Sequence, residues 1–193
     1  MEINPLRVTG NWRDGWALDL HTTSSTRRPD GGFDNIRSPL GEDLYHCKYQ
    51  QDFSKVDILA DVVSEFLLTR VILPRIHAII PMPPSDTPRS FQPVQEIAKR
   101  VAERTGLLFA PNFLVKVRST PALKNLDDTQ SRRQELEGVF RVDDLSLRGR
   151  WVLLFDDVFR SGETLHAATE AALTQGKMEK VYVLTLTKTR TNR

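Results

Sequence analysis

Apolar residues recur at two different periods along the chain, and the change of period marks how it is organised. From Asp57 onward, Ile58, Leu59, Val62, Val63, Phe66 and Leu67 fall at helical spacing, which predicts an amphipathic helix. Residues 77–82 (HAIIPM) read as a buried strand that ends in a proline-rich turn carrying Pro81, Pro83 and Pro84. A second helix is predicted over residues 93–105, with Gly106 as its stop. Residues 113–117 (FLVKV) read as a strand, and residues 130–137 as the beginning of a short helix. Residues 151–155 (WVLLF) are the clearest buried strand, followed by a helix over 163–174 and a strand over 181–186 (VYVLTL). Strands alternating with helices predict an α/β fold: a mostly parallel sheet with helices on both faces.

The first part of the chain lacks this rhythm. Residues 15–21 (GWALDLH) alternate like a short strand, but residues 22–32 (TTSSTRRPDGG) are polar and rich in turn formers, so they predict a loop. Residues 1–52 therefore read as an irregular N-terminal elaboration and residues 53–193 as the core; there is no internal repeat. Residues 119–129 form a polar connection whose length predicts a mobile or functional loop.

Composition narrows the function classes. At 193 residues and 39% hydrophobic content, the chain suits one domain with an elaboration. Lys and Arg total 27 against 25 Asp and Glu, a net charge of +2. A nucleic-acid partner is thus permitted but not supported by charge. The basic residues near the C-terminus (Lys177, Lys180, Lys188, Arg190, Arg193) read as a solvated end. One cysteine, Cys47, allows neither an internal disulfide nor a cysteine-cluster zinc site, and reads as a buried small hydrophobe. Residues 1–12 carry no apolar signal core, and no apolar run reaches membrane-spanning length, so the expectation is a cytoplasmic protein with no membrane partner. His21, His46, His77 and His166 show no metal-ligand spacing.

The chemistry is concentrated in residues 152–164, VLLFDDVFRSGET. A buried strand delivers two adjacent carboxylates, Asp156 and Asp157, at its C-terminal end. A turn with Ser161 and Gly162 follows, then Thr164 near a helix start. Ligands of open parallel sheets bind beyond the C-terminal strand ends, and a helix N-terminus offers free N–H groups and partial positive charge to a phosphate. Gly162 allows close backbone approach, and the Ser161 and Thr164 hydroxyls add donors. Carboxylates accept hydrogen bonds from vicinal ribose hydroxyls and help hold Mg²⁺ through water. The plainer reading is a strand followed by a helix that the two acids cap. Two other phosphate motifs are missing: there is no GxxxxGK[ST] loop and no GxGxxG after the first strand.

Residues 152–164 closely resemble the phosphoribosyl pyrophosphate (PRPP) motif of type I phosphoribosyltransferases. The resemblance implies that Asp156 and Asp157 engage the ribose hydroxyls, and Mg²⁺ through water. It implies that Arg160, Ser161, Gly162, Glu163 and Thr164 wrap the 5′-phosphate, although Phe159 and Arg160 depart from the family's smaller aliphatic and Ser or Thr. Residues 80–94 (IPMPPSDTPRSFQPV) resemble the ComF-type branch, with Arg89, Ser90, Phe91 and Gln92 in its Arg-Gly-Phe-Asn-Gln-like run. That likeness implies a pyrophosphate loop at Met82, Pro83, Pro84 and Ser85, with Arg89 as a charge partner. Thr120, Pro121, Gln130 and Arg133, with the GVF of residues 138–140, resemble the ComF flexible-loop pattern, where Lys116, Arg118, Arg132 and Arg133 supply positive charge. The ComF zinc module is absent.

The resemblance further implies transfer of a phosphoribosyl group to a nitrogen acceptor with pyrophosphate release. Asp156, Asp157, Arg89 and Arg118 would be the catalytic residues, and residues 119–129 would close over the site. The N-terminal elaboration would act as an acceptor-reading hood, in which Trp12, Trp16 and Phe33 either stack on a base or simply pack onto the core. Two alternatives stay open: a non-catalytic PRPP sensor or ComF-like accessory protein in DNA metabolism, and a nucleic-acid binder. Similar proteins often pair as homodimers.

Overall fold

A computed structural model describes residues 1–84, 91–118 and 136–190. Two runs of the N-terminal part enter one sheet: Leu6–Arg7 (β1) pairs antiparallel with Asp14–Leu20 (β2). In β2, Trp16 and Leu18 pack into one buried cluster while Ala17 packs into another, so this strand is covered on both faces.

Thr22–Arg27 (β3) and Phe33–Arg37 (β4) then form a two-stranded antiparallel hairpin of their own. This corrects the loop expected over residues 22–32. The β-branched and hydroxyl residues of β3 pair across the ladder, with the Thr23 hydroxyl donating to the Ile36 carbonyl and Ser25 to Asn35. The hairpin is largely exposed on both sides, so it leaves no apolar alternation to read.

Pro39–Tyr49 (α1) follows. The Ser38 hydroxyl accepts from the Gly41 N–H as its cap, and Pro39 sits in its first turn. Leu40, Leu44 and Cys47 bury one face of it. The expected irregular elaboration is therefore ordered: β2 lies inside the central sheet and α1 against it.

From here the elements follow the predicted rhythm. They are Lys55–Leu68 (α2), Ile76–Pro81 (β5), Pro93–Thr105 (α3), Leu108–Phe109 (β6), Trp151–Phe159 (β9), Glu163–Thr174 (α4) and Lys180–Lys188 (β10). Gly106 ends α3 in the left-handed region at φ 76°, its N–H donating to the Ala102 carbonyl. The strand expected over residues 113–117 shortens to Val115–Lys116 (β7), which pairs with Phe140–Arg141 (β8) outside the central sheet. Of the short helix expected over residues 130–137, and of the loop expected over 119–129, residues 119–135 lie outside the described residues.

The central sheet has the order β1-β2-β10-β9-β5-β6, parallel from β2 to β6. Helices α1, α2 and α3 cover one face, where Leu153 and Phe155 meet Leu44, Leu59 and Ile97. Helix α4 covers the other, where Val152 and Leu154 meet Leu165 and Ala168. The α/β architecture with helices on both faces is thus the one the hydrophobic pattern predicts. The connection from β5 runs through α3 to β6 on one side; that from β9 runs through α4 to β10 on the other. Adjacent strands whose connections part in this way leave a crevice between their C-terminal ends. Among the described residues, no helix is long and apolar enough to cross a membrane.

Candidate functional site

The crevice at the ends of β5 and β9 holds a cavity of about 280 Å³. Strand β5 stops at Pro81, opposite Phe155, and the last link is the Met82 N–H donating to the Phe155 carbonyl at 2.8 Å. Strand β9 runs four residues further, through both aspartates, with only β10 beside it. The strand expected over residues 151–155 therefore extends to Phe159, and the expected turn with Ser161 and Gly162 follows it. Along β9 the pleat also changes phase. Leu153 and Phe155 belong to the α1–α3 face, yet Phe159 packs in the α4 cluster and Val158 against the other. Successive strand residues ordinarily point to opposite faces. The change of phase across the acids is what lets both Asp156 and Asp157 line one cavity.

The two carboxylates have unlike surroundings. Asp157 forms an ion pair with the Lys48 ammonium, 2.5 Å from Nζ to Oδ2, with both side chains about 15% exposed. Asp156 accepts the Asp157 backbone N–H at 2.9 Å. Burial, and then the neighbouring Asp157 charge, push its carboxyl up to about 7.

Two helix N-termini meet the same cavity. Pro93, Val94 and Gln95 come from the first turn of α3, and Thr164 from the first turn of α4. Neither helix is capped by a side-chain hydrogen bond. Their first-turn N–H groups and partial positive charge therefore address the crevice. Gly162 precedes α4 at φ 81°, and a Cβ there would lie 2.8 Å from the Phe159 ring. Only glycine fits that turn without strain.

Of the residues singled out in the sequence, Met82, Pro83, Pro84, Gln92, Lys116, Asp156, Asp157 and Thr164 line this cavity together. Arg160 and Ser161 are exposed in the β9–α4 turn. Glu163 is buried and lines a neighbouring hollow with His166 and Glu170. Arg118 is exposed and donates to the Glu137 carbonyl at 3.1 Å, outside the cavity lining. Ser85, Arg89 and Ser90 lie outside the described residues, as do Thr120, Pro121, Gln130, Arg132 and Arg133. Trp12 and Trp16 are core residues: Trp12 donates to the Val8 carbonyl and meets Phe159 edge-on, and Trp16 stacks on Tyr182. Phe33 is exposed on β4. Cys47 is fully buried, and burial pushes its thiol up to about 11, which makes it an inert core residue.

Sequence reasoning missed Lys48 and Gln95 as cavity residues. The helical spacing of Leu40, Leu44 and Cys47 behind a Ser-Pro start was the signal for α1. Nothing in the spacing linked Lys48 to an acid 109 residues away.

The donor set does not fit an Mg²⁺ ion held by the protein itself. Lys48 already holds Asp157, Asp156 favours its neutral form up to about pH 7, and no cluster of three or more acid, His or Cys groups exists among the described residues.

No family model and no curated protein matches the chain. Among solved structures it is similar to adenine phosphoribosyltransferase from Leishmania donovani, at 13% identity over 96% of this chain and 86% of that one, with a TM-score of 0.43. It is similar to the same enzyme from Leishmania tarentolae at 13% identity over 96% and 94% of the two chains, with a TM-score of 0.43.

Proposed function

We propose that this chain is a type I phosphoribosyltransferase-like protein of the ComF-like branch that binds PRPP in the crevice between β5 and β9. One observation carries the reading: the Asp156–Asp157 pair and two helix N-termini without side-chain caps converge on a single cavity at the strand ends. That is the complement of a ribose bearing phosphates at two ends. The vicinal hydroxyls bond the two carboxyls, of which a protonated Asp156 can donate as well as accept. The 5′-phosphate takes the turn of residues 160–164, held by backbone N–H groups and the Ser161 and Thr164 hydroxyls. The pyrophosphate takes the first turn of α3 with Met82, Pro83 and Pro84, and the family resemblance implies that Ser85 and Arg89 take part in holding it.

In the reaction, an acceptor nitrogen lone pair forms the bond to ribose C1 while the C1–oxygen bond breaks. Pyrophosphate leaves with the electron pair, and the acceptor loses its proton. Positive charge builds on the sugar and negative charge on the departing group. Fixed donors at the helix ends and the nearby carboxylates therefore stabilise both without a protein nucleophile. Family resemblance implies that Mg²⁺ accompanies the pyrophosphate; no step here runs through it. It also implies a cytoplasmic homodimer, with a nucleobase-like amine as acceptor.

The Lys48–Asp157 pair also fits a second reading, a PRPP sensor or ComF-like accessory protein without turnover. An acid already engaged by an ammonium suits tight ground-state binding as well as it suits catalysis. A pyrophosphate-release screen over nucleobases and simple amines separates the two. Release with one acceptor establishes the transferase. Calorimetric binding of PRPP with no release across the panel supports the sensor. No binding at millimolar PRPP removes both.

A further inference from the structure

A pair of adjacent carboxylates is a poor neighbour for a diphosphate unless a cation stands between them. In this cavity the described lining residues carry two acids, Asp156 and Asp157, and two ammonium groups, Lys48 and Lys116. Lys48 is held in place. Lys48 lies in the last turn of α1, whose negative end favours a cation, and α1 is anchored by the fully buried Leu40, Leu44 and Cys47. Its ammonium sits 2.5 Å from Asp157 with only 15% of the side chain exposed. An ammonium has three N–H donors. One is given to Asp157, and the others remain for an anion in the cavity.

We infer that Lys48 is the resident cation of this site, bridging Asp157 to the phosphate oxygens of the ligand, so that PRPP and pyrophosphate bind without a divalent metal. The inference rests on the PRPP reading and goes beyond it by naming the residue that takes over the charge neutralisation. It assigns Lys48 as a ligand-binding residue contributed by the N-terminal part of the chain, and it makes the charge on α1 a determinant of which ligands bind.

The test is calorimetric titration of PRPP, and separately of inorganic pyrophosphate, into the full chain in EDTA and in excess Mg²⁺. For the wild type, the two conditions should give PRPP dissociation constants within about threefold of each other. Lys48→Met should lose about 30-fold in EDTA and recover part of it with Mg²⁺, as expected for removal of a charge-assisted contact. Lys48→Arg, which keeps the charge, should stay within about fivefold of the wild type. Circular dichroism establishes that each variant is folded; should Lys48→Met fail to fold, the wild-type comparison and Lys48→Arg decide. Wild-type PRPP binding that falls more than tenfold in EDTA overturns the inference alone. A folded Lys48→Met that binds like the wild type in EDTA does the same. Absence of PRPP binding in both conditions takes down the PRPP reading and this inference with it.

Discussion

Helix α1 and the β9–α4 segment reach the same cavity with opposite charge and opposite construction. The β9–α4 segment presents its acids directly from a strand end, where the backbone is open on one side and the following turn depends on a single glycine. Helix α1 presents one lysine from its last turn, on a scaffold held by three fully buried side chains. The acids are placed by local backbone geometry; the cation is placed by packing from afar. The difference teaches where each contribution is vulnerable. Changes in the turn should act through conformation, and changes at the ion pair through charge.

Removing the acid that joins the two regions should have the largest effect. Asp157→Asn is nearly isosteric, so the fold should survive, but Lys48 loses its partner and the ribose hydroxyls lose an ionised acceptor. PRPP affinity should fall by about 30- to 100-fold, on the order of 2–3 kcal/mol for truncating a partly buried charged pair. Unchanged affinity by calorimetry in a folded variant would break the site assignment.

Next comes the turn itself. Gly162→Ala forces a side chain into the left-handed region at φ 81° and puts a Cβ 2.8 Å from the Phe159 ring. A loss of about 2 kcal/mol in denaturant unfolding is expected. Since the turn rather than the acids is disturbed, stability should fall while Mg²⁺ and EDTA still give similar PRPP affinities. A variant as stable as the wild type would show that this turn is not under the constraint described.

The burial of Asp156 can be read by pH. In the folded chain Asp156 titrates at about 7 against an ordinary value of 3.8, so the native state holds the proton more tightly than the unfolded one. The stability contributed by that proton is complete below the unfolded value and is lost as pH rises through 7. Asp156→Asn keeps a neutral side chain at every pH. It should therefore gain on the wild type from pH 5 to pH 8, by about 1 kcal/mol once screening by water in the open cavity is allowed for. Denaturant melts at the two pH values read this directly, and a difference that does not change with pH would contradict the burial argument.

The same contrast explains what the sequence disclosed. The β9–α4 segment was legible because each of its parts is local: four apolar residues, two acids, a glycine, a helix start. Helix α3 and its Gly106 stop were legible for the same reason. The β3–β4 hairpin was not, since a polar ribbon exposed on both faces has no buried side to set a period. Nor was the phase change across Asp156 and Asp157, which depends on how the twisted end of β9 packs against α4 on one side and the α1–α3 face on the other. Lys48 was the most deeply hidden, because only the packing of α1 beside β2 and β10 brings it to an acid far along the chain.

Arg118 gives the smallest expected effect and the sharpest reading of the family resemblance. From the flexible-loop pattern it is a catalytic candidate, yet in the structure it is exposed and donates to the Glu137 carbonyl rather than lining the cavity. An exposed neutral-acceptor contact of this kind contributes little, on the order of 0.5 kcal/mol. Arg118→Ala should therefore change PRPP affinity by less than about threefold, against the large loss at Asp157, if charge at this site comes from α1 and the helix ends. A loss comparable to that of Asp157→Asn would mean that Arg118 reaches the ligand when it binds. The positive charge of the site would then be shared between α1 and the segment that follows β7.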